Sequence, residues 1–574
     1  MIFYKQLLRN ILKVRLFVIL SLFFFNSLNA QSTILIPNGQ FQIDYSKQLI
    51  VSNFNILAIN STLEEAFNKI QLDKIYTFSA PISSVEIGKS YPIKDEEGHR
   101  YQLFFTELPL IHITTNNIIV DEPRRFASFF MAESNGMIVN EHIGIEYRGA
   151  SSQNYPKKSL RIEFWADSTG EETKDVRLLG MREDDDWNLQ AMYNEPLRFN
   201  NVVSFDLWQQ IDTLYYIKKE QKAVNGVNMK YAEVFINNEY RGVYGVGERV
   251  DRSQLKLKKF KDDEIRGELY KGSDWTDAVL MNKAPVYDNS KALWAGFEYE
   301  YPDAEEIIDW ENLYNLISFV EKSSDEEFYL AYPDKMVVDN LVNYFIFLNL
   351  TYAADNTGKN LYIAKYDKNE PYFYVPWDLD GTFGLFWDGS NHNNTTGLLS
   401  NNLYNRLLKD CSENGFVEKL KSRWKFLRTQ VITYENITQM FEKQMEYLSR
   451  NGIYQREELA WNKYIYPKTQ YAYTTNWLKL RLNNLDSFFS QDCKGFDFKD
   501  NIPYSFILFP NPTSSLLNIQ SEISDEFYIY DINGIVLKSG YISTGLNIID
   551  VSDLKCGIYF FKPLKSNPNK FIVQ

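Results

Sequence analysis

Four residues separate Asp355 from Asn360 in Asp355-Asn356-Thr357-Gly358-Lys359-Asn360, and Asp378 follows in Pro376-Trp377-Asp378-Leu379-Asp380-Gly381. Phosphoryl transfer needs such a set. One carboxylate orients the attacking hydroxyl and takes its proton, while an amide oxygen and a second carboxylate hold Mg2+ against the phosphates. Asp355 is the candidate catalytic carboxylate, Asp378 a candidate for both catalysis and metal binding, and Asn360 and Asp380 further metal ligands. Asp and Asn also favour turns through their own local hydrogen bonds, so a plain polar loop is the alternative. A calcium loop starting at Asp378 would need Gly at its sixth position and Glu at its end, where the chain has Phe383 and Gly389.

A second set is Arg148-Gly149-Ala150-Ser151-Ser152 followed by Pro156-Lys157-Lys158-Ser159. A Gly/Ser turn offers backbone donors to phosphate, and a lysine opening the next strand could reach the α- and β-phosphates. The alternative is a surface turn with two solvated lysines. A third set is the segment from Val234 to Tyr244 that runs on to Glu248. Glu248 could pair with the phosphate lysine, or form a strand-end salt bridge with Arg249. Trp187, Asn188, Arg198 and Asn201 read as packing or cap residues.

The elements that must position these residues follow from periodicity. Strands are expected at 108–113, 143–148 and 159–165; in the last, Lys158, Leu160, Ile162 and Phe164 share a face. Two strands within 232–248 meet at Asn237-Asn238, a pair that tolerates positive φ and so suits a hairpin. Helical spacing runs over 197–211 and, with Ser61 or Thr62 as cap, over 63–70. Residues 338–350 form a buried helix or strand, and strands 362–366 and 372–376 flank a polar turn. Residues 402–490 are mostly amphipathic helix, with Phe416, Leu420, Trp424 and Leu427 on one stripe. After the prolines at 503, 510 and 512, five short strands between 516 and 562 make a small β-sandwich pattern. The order implies an α+β protein with a β-rich region at 31–105, a two-lobed domain at 106–495 and a small sandwich at 503–574.

The net charge of −14 argues against nucleic acid as a partner. Three cysteines and four histidines show no zinc spacing, so carboxylates and lysines must carry any catalysis. Aromatic residues, 16% of the chain, fill cores or line surfaces that bind sugars and peptides. No pair of carboxylates is fixed as a glycan hydrolase would need. Residues 1–30 read as a secretory signal peptide: Lys5, Arg9, Lys13 and Arg15 precede an apolar run from Leu16 to Phe25, and a cleavage point follows Ala30. That run is too short to span a membrane, and no later stretch is long and apolar enough.

Taken in order, these segments resemble the CotH kinase family across roughly residues 106–490. The resemblance rests on Leu108-Pro109-Leu110-Ile111-His112-Ile113, Tyr147 to Ser152, Tyr155-Pro156-Lys157-Lys158-Ser159, the Asp186-Trp187 turn, the Asn238 hairpin with Gly242-Val243-Tyr244, Glu248, Val375 to Gly384, and Arg423-Trp424. It implies an atypical protein-kinase-like fold and ATP-dependent phosphorylation of a protein substrate on serine, with Mg2+ or Mn2+. Asp355 then looks like the catalytic-loop aspartate, Asp378 the metal aspartate and Asn360 a second ligand. Lys158 would be the phosphate lysine, with Lys157 in reserve, and Arg148, Ser151 and Glu248 would lie at the nucleotide. Family members often place Arg and Asn side by side where Phe199 here separates Arg198 from Asn200. The rival reading is a surface protein that keeps the kinase fold without turnover and binds glycans or partner proteins.

The tail resembles the type IX secretion sorting domain of the Bacteroidetes. It shares Phe509-Pro510-Asn511-Pro512-Thr513, Ile529 to Gly534, Gly557-Ile558-Tyr559-Phe560 and the end Lys570-Phe571-Ile572-Val573. This implies handling by the type IX machinery and a secreted or outer-surface location, with no transmembrane segment after signal cleavage.

Overall fold

The computed structural model describes residues 33–61, 66–149, 151–493, 506–521, 524–532, 534–564 and 568–574. The expected signal peptide lies outside them. No helix among the described residues is long and apolar enough to cross a membrane. The chain divides into two compact units, one of Met1–Ala191, Lys230–Val246 and Met445–Tyr466, the other of Met192–Met229, Gly247–Gln444 and Pro467–Gln574.

The first unit is mostly β. A seven-stranded sheet runs in the order Thr33–Leu35, Phe67–Gln71, Ile75–Ile82, Ser90–Lys94, Arg100–Phe105, Leu49–Ser52, Phe41–Asp44. Alternation along these strands sends Ile50, Phe67, Tyr76 and Leu103 into its core. The expected helix at 63–70 is replaced: a helix covers Ile56–Ser61, and 67–70 belong to a strand, while 62–65 lie outside the described residues. Phe67 and Ile70 gain more from sheet burial than a short helix could return.

The rest of this unit is a closed barrel of seven strands: Ile138–Tyr147, Leu160–Trp165, Asp186–Gln190, Glu239–Gly247, Met229–Ile236, Leu110–Thr114 and Arg125–Ala132. Leu160, Ile162 and Phe164 point inward with Ile111, Phe129, Ile145 and Val246, as their alternation requires. Trp187 is fully buried in this interior, on a strand paired with Leu160–Trp165 rather than in a turn. Asn237 and Asn238 take φ of 51° and 63°, the mirror-turn geometry that closes the Met229–Ile236/Glu239–Gly247 hairpin. Sheet and barrel are fastened together: Asp44 accepts from the Tyr240 amide at 2.9 Å, and Asn53 donates to the Ala132 carbonyl at 2.7 Å. Helix Ile453–Ala460 places Arg456 against Glu233 and Glu457 against Lys157, all four side chains wholly buried.

The second unit mixes helices with an antiparallel sheet in the order Leu293–Trp294, Phe297–Tyr301, Glu268–Gly272, Leu361–Lys365, Tyr372–Pro376. Residues Val338–Thr351 are a helix, buried from Asn340 to Thr351. A run of that length in one apolar stretch exceeds an ordinary strand, and helices Asn200–Ile211, Phe416–Gln430 and Gln470–Phe489 pack around it. The Phe416, Leu420, Trp424, Leu427 stripe is the buried face of its helix. Cys411 and Cys493 form a disulfide with Cα atoms 5.7 Å apart.

The C-terminal residues make two sheets. One is Phe506–Phe509, Leu516–Ser521, Gly545–Asp550; the other is Val536–Ile542, Asp525–Tyr530, Gly557–Pro563, Asn569–Val573. Leu517 and Ile519 from the first meet Ile529 and Phe561 from the second in one core, which makes the expected sandwich.

Candidate functional site

Helix Val338–Thr351 stops at Tyr352, whose φ of 55° turns the chain out of the helix. A short 3-10 turn, Asp355–Thr357, leads into strand Leu361–Lys365, which pairs with Tyr372–Pro376 so that Leu361 faces Pro376. The register continues one step beyond the strands, where the Trp377 amide donates to the Asn360 carbonyl at 3.0 Å. Hairpin pairing therefore brings the Asp355–Asn360 loop and the Asp378 loop side by side. Asn356 fixes both, donating to the Asn360 carbonyl at 2.6 Å and the Trp377 carbonyl at 2.7 Å. Asn360 and Asp378 take φ of 54° and 53°, a left-handed backbone that Asn and Asp accept more readily than other side chains. Gly358 lies under the Trp275 ring so closely that an added Cβ would stand 2.1 Å from a ring carbon.

Lys359 Nζ stands 3.1 Å from Asp355 Oδ2. Burial disfavours its charge, but Asp355, aided by Asp378 and Asp380, outweighs that and raises its pKa. Asp380 is held well above the usual carboxylate range, first by burial and then by the charge of Asp378, with Glu195 and Asp355 adding to it. Glu195 is itself pushed up to about 7 by burial. Asp355 and Asp378 thus act on both Asp380 and Lys359, while Glu195, which has Arg198 beside it, adds to the field at Asp380.

The segment 194–201 supplies the frame for this cluster, which the motif reading did not foresee. Asn194 donates to Asp380 Oδ2 and to the Trp387 carbonyl. Asn201 donates to Glu195 Oε1 at 2.6 Å and accepts from the Leu379 amide at 2.9 Å, between the two aspartates. Arg198, at φ 59°, is wholly buried and donates to the carbonyls of Met192, Tyr193 and Glu195. It holds the loop that carries Asn194 and Glu195. Its left-handed backbone is also why the helix expected from 197 begins at Asn200. The hint in the sequence was the density of amides, Asn194, Asn200 and Asn201, beside Glu195.

The other expected residues fall in separate places. Lys157 is buried and donates to Glu457 Oε1 at 2.9 Å and the Val243 carbonyl at 2.6 Å. Lys158 is half-buried and donates to the Gln153 and Tyr155 carbonyls. It does not continue the inward face of Leu160 and Ile162, because the strand begins only at Leu160, after the turn around Pro156. The Arg148 amide donates to the Ser159 carbonyl at 3.0 Å, and Ser151 opens a 3-10 turn, Ser151–Asn154. Arg148, Ser151, Lys157 and Lys158 belong to the first unit; Glu248, Asp355, Asn360, Asp378 and Asp380 belong to the second. Glu248 is buried and accepts from the Asn228 side chain at 2.8 Å and from Gln254 at 3.3 Å. Arg249 lies 3.7 Å from Glu300.

Among the described residues, Asp95, Glu97 and His99 bring three potential ligand atoms within 4.8 Å of one another. Lys74 already sits 2.7 Å from Asp95 and holds its carboxyl well below the usual range, so an ion there would meet an occupied ligand.

The first unit is thus a sheet and a barrel, and the second a helical unit with a carboxylate-rich hairpin end. Comparison with known families makes the assignment specific. The CotH kinase protein model matches residues 145–485, more than half of the chain, and the chain belongs to that family. The barrel strand Leu110–Thr114, which the sequence resemblance included, lies outside that match. The secretion system C-terminal sorting domain matches residues 507–574, the C-terminal sandwich, and marks the protein for the type IX secretion machinery and the cell surface or exterior. No curated protein matches the chain.

Proposed function

We propose that the protein is a secreted or cell-surface protein serine kinase that uses ATP with Mg2+ or Mn2+. On this reading residues 106–495 form an atypical two-lobed kinase-like domain, 1–30 a signal peptide, 31–105 an accessory region and 503–574 the sorting domain. The observation that carries it is the hairpin-end pairing that sets the Asp355 loop beside the Asp378–Asp380 loop, with Lys359 on Asp355 and in the field of both other aspartates. Three half-buried carboxylates, Asp355, Asp378 and Asp380, against one lysine leave negative charge partly withdrawn from water, which is costly. Asp380 registers that cost in its raised pKa, and the donor set suits a hard divalent ion. Asp378, Asp380 and Asn360 would hold the ion, which when bound draws charge from the phosphate oxygens.

Asp355, partly exposed beside them, accepts the proton of the substrate serine and orients its oxygen. Asn356 keeps the two loops in register, and Asn201 fixes the backbone between Asp378 and Asp380. Glu248 orders the Asn228–Gln254 segment. Lys157, the reserve lysine, is wholly buried against Glu457, out of contact with solvent.

The test is transfer of label from γ-phosphate-labelled ATP to casein and to the protein itself. Asp355→Asn should lower transfer by about 100-fold or more while the melting temperature holds. Equal transfer by this variant overturns the reading.

A further inference from the structure

We infer that Lys359 is a catalytic residue that binds the transferred γ-phosphoryl group. This rests on the kinase reading above, and it assigns the role to a residue that the sequence motifs passed over. The side chains of Lys359 and Asp355 are 31% and 22% exposed, so the pair is open to a ligand rather than sealed inside the fold. Lysine has three N–H donors, and Asp355 accepts one of them at 3.1 Å. The ammonium is in contact with Asp355, the residue that takes the hydroxyl proton, and the hairpin pairing sets its loop beside the Asp378 loop that holds the ion.

The backbone on either side of Lys359 is fixed. Gly358 is pressed under Trp275, and the Asn360 carbonyl is bound by Asn356 and by the Trp377 amide. A cation so placed is preorganised for charge that builds on phosphate oxygens during transfer. The two lysines of the Arg148–Ser159 turn make their hydrogen bonds within their own unit, Lys157 to Glu457 and Val243 and Lys158 to Gln153 and Tyr155.

In the step, the serine oxygen forms a bond to the γ-phosphorus as the bond from that phosphorus to the β–γ bridging oxygen breaks. ADP leaves with that electron pair, and the hydroxyl proton passes to Asp355. Lys359 donates to a γ-oxygen throughout and neither gains nor loses a proton. ADP lacks that group, so Lys359 must distinguish the two nucleotides.

The experiment measures ATP and ADP affinity of the full chain by calorimetry with MgCl2, for wild type, Lys359→Met and Lys359→Arg. A charge-assisted hydrogen bond to phosphate corresponds to roughly tenfold or more in affinity. Wild type is expected to prefer ATP by about that factor; Lys359→Met should bring the two nucleotides within about twofold, with ADP affinity unchanged, and Lys359→Arg should restore most of the preference. Label transfer should fall in the Met variant and return in part in the Arg variant. Retention of the ATP preference in Lys359→Met, or equal affinities in wild type, overturns the assignment of Lys359 alone. Binding of neither nucleotide by wild type overturns the kinase reading and this assignment with it.

Discussion

Lys157 and Glu457, 300 positions apart in sequence, form an ion pair 2.9 Å long with both side chains wholly buried. The Val243 carbonyl and amide complete the pairing, one accepting from Lys157 and the other donating to Glu457. Removing one partner leaves a buried charge without its counter-ion, which costs about 3–5 kcal/mol. Lys157→Met and Glu457→Gln should each destabilise by that amount in urea unfolding, and the double variant by less than the sum. Additive losses would mean that the two residues act independently.

His392 lies among the rings of Tyr352, Phe386 and Trp477, with centroids 4.9, 4.8 and 5.8 Å away, and neither ring nitrogen has a hydrogen-bond partner among the described residues. Burial, with the positive charge of Arg481, lowers its pKa to about 4 from 6.5. The unfolded chain therefore binds a proton in this window that the folded protein refuses. The stability tied to His392 is full above pH 6.5 and is lost as pH falls toward 4, by about 3 kcal/mol. His392→Phe should not show this loss. Stability measured from pH 7.5 to 4 should fall more steeply in wild type than in the variant; parallel curves would contradict it.

The Cys411–Cys493 disulfide closes a loop with a sequence separation of 82, between a segment after helix Asn402–Leu407 and the end of helix Gln470–Phe489. A crosslink of that span restricts the unfolded chain by about 4 kcal/mol. Cys411→Ser with Cys493→Ser should lower the melting temperature by several degrees, and reducing agent should do the same to wild type only. An oxidising destination outside the cell is where such a bond persists.

Deleting residues 507–574, which match the sorting domain, should abolish appearance of the protein in the medium or on the surface while cell-associated protein accumulates. Fractionation followed by immunoblotting reads this directly. Undiminished export of the truncated chain would mean that the signal lies elsewhere.

Local features were legible in the sequence, and long-range pairings were not. Asn237-Asn238 announced its turn because the conformation it needs is a property of those two residues. The Asp355 and Asp378 loops were legible because a short hairpin joins them and pairing must bring its ends together. The surroundings of Asp380 were hidden, because Asn194 lies 186 positions away and nothing local points to it. Lys157 looked solvated for the same reason: Glu457 arrives from a distant helix. The family resemblance put Trp187 in a turn with Asp186, yet burying the indole in the barrel decided the outcome.

The central claim, that the acidic cluster holds a metal–nucleotide pair, is tested most directly by melting the purified protein with ATP alone, MgCl2 alone and both. Asp378→Asn is the control, because Asn tolerates the left-handed backbone at that position. A ligand bound only by the folded state raises stability by about 2.7 kcal/mol at a hundred times its Kd. A rise of several degrees that needs ATP and Mg2+ together, and is absent in Asp378→Asn, is the expected result. No rise at millimolar concentrations, or an equal rise in the variant, would contradict it.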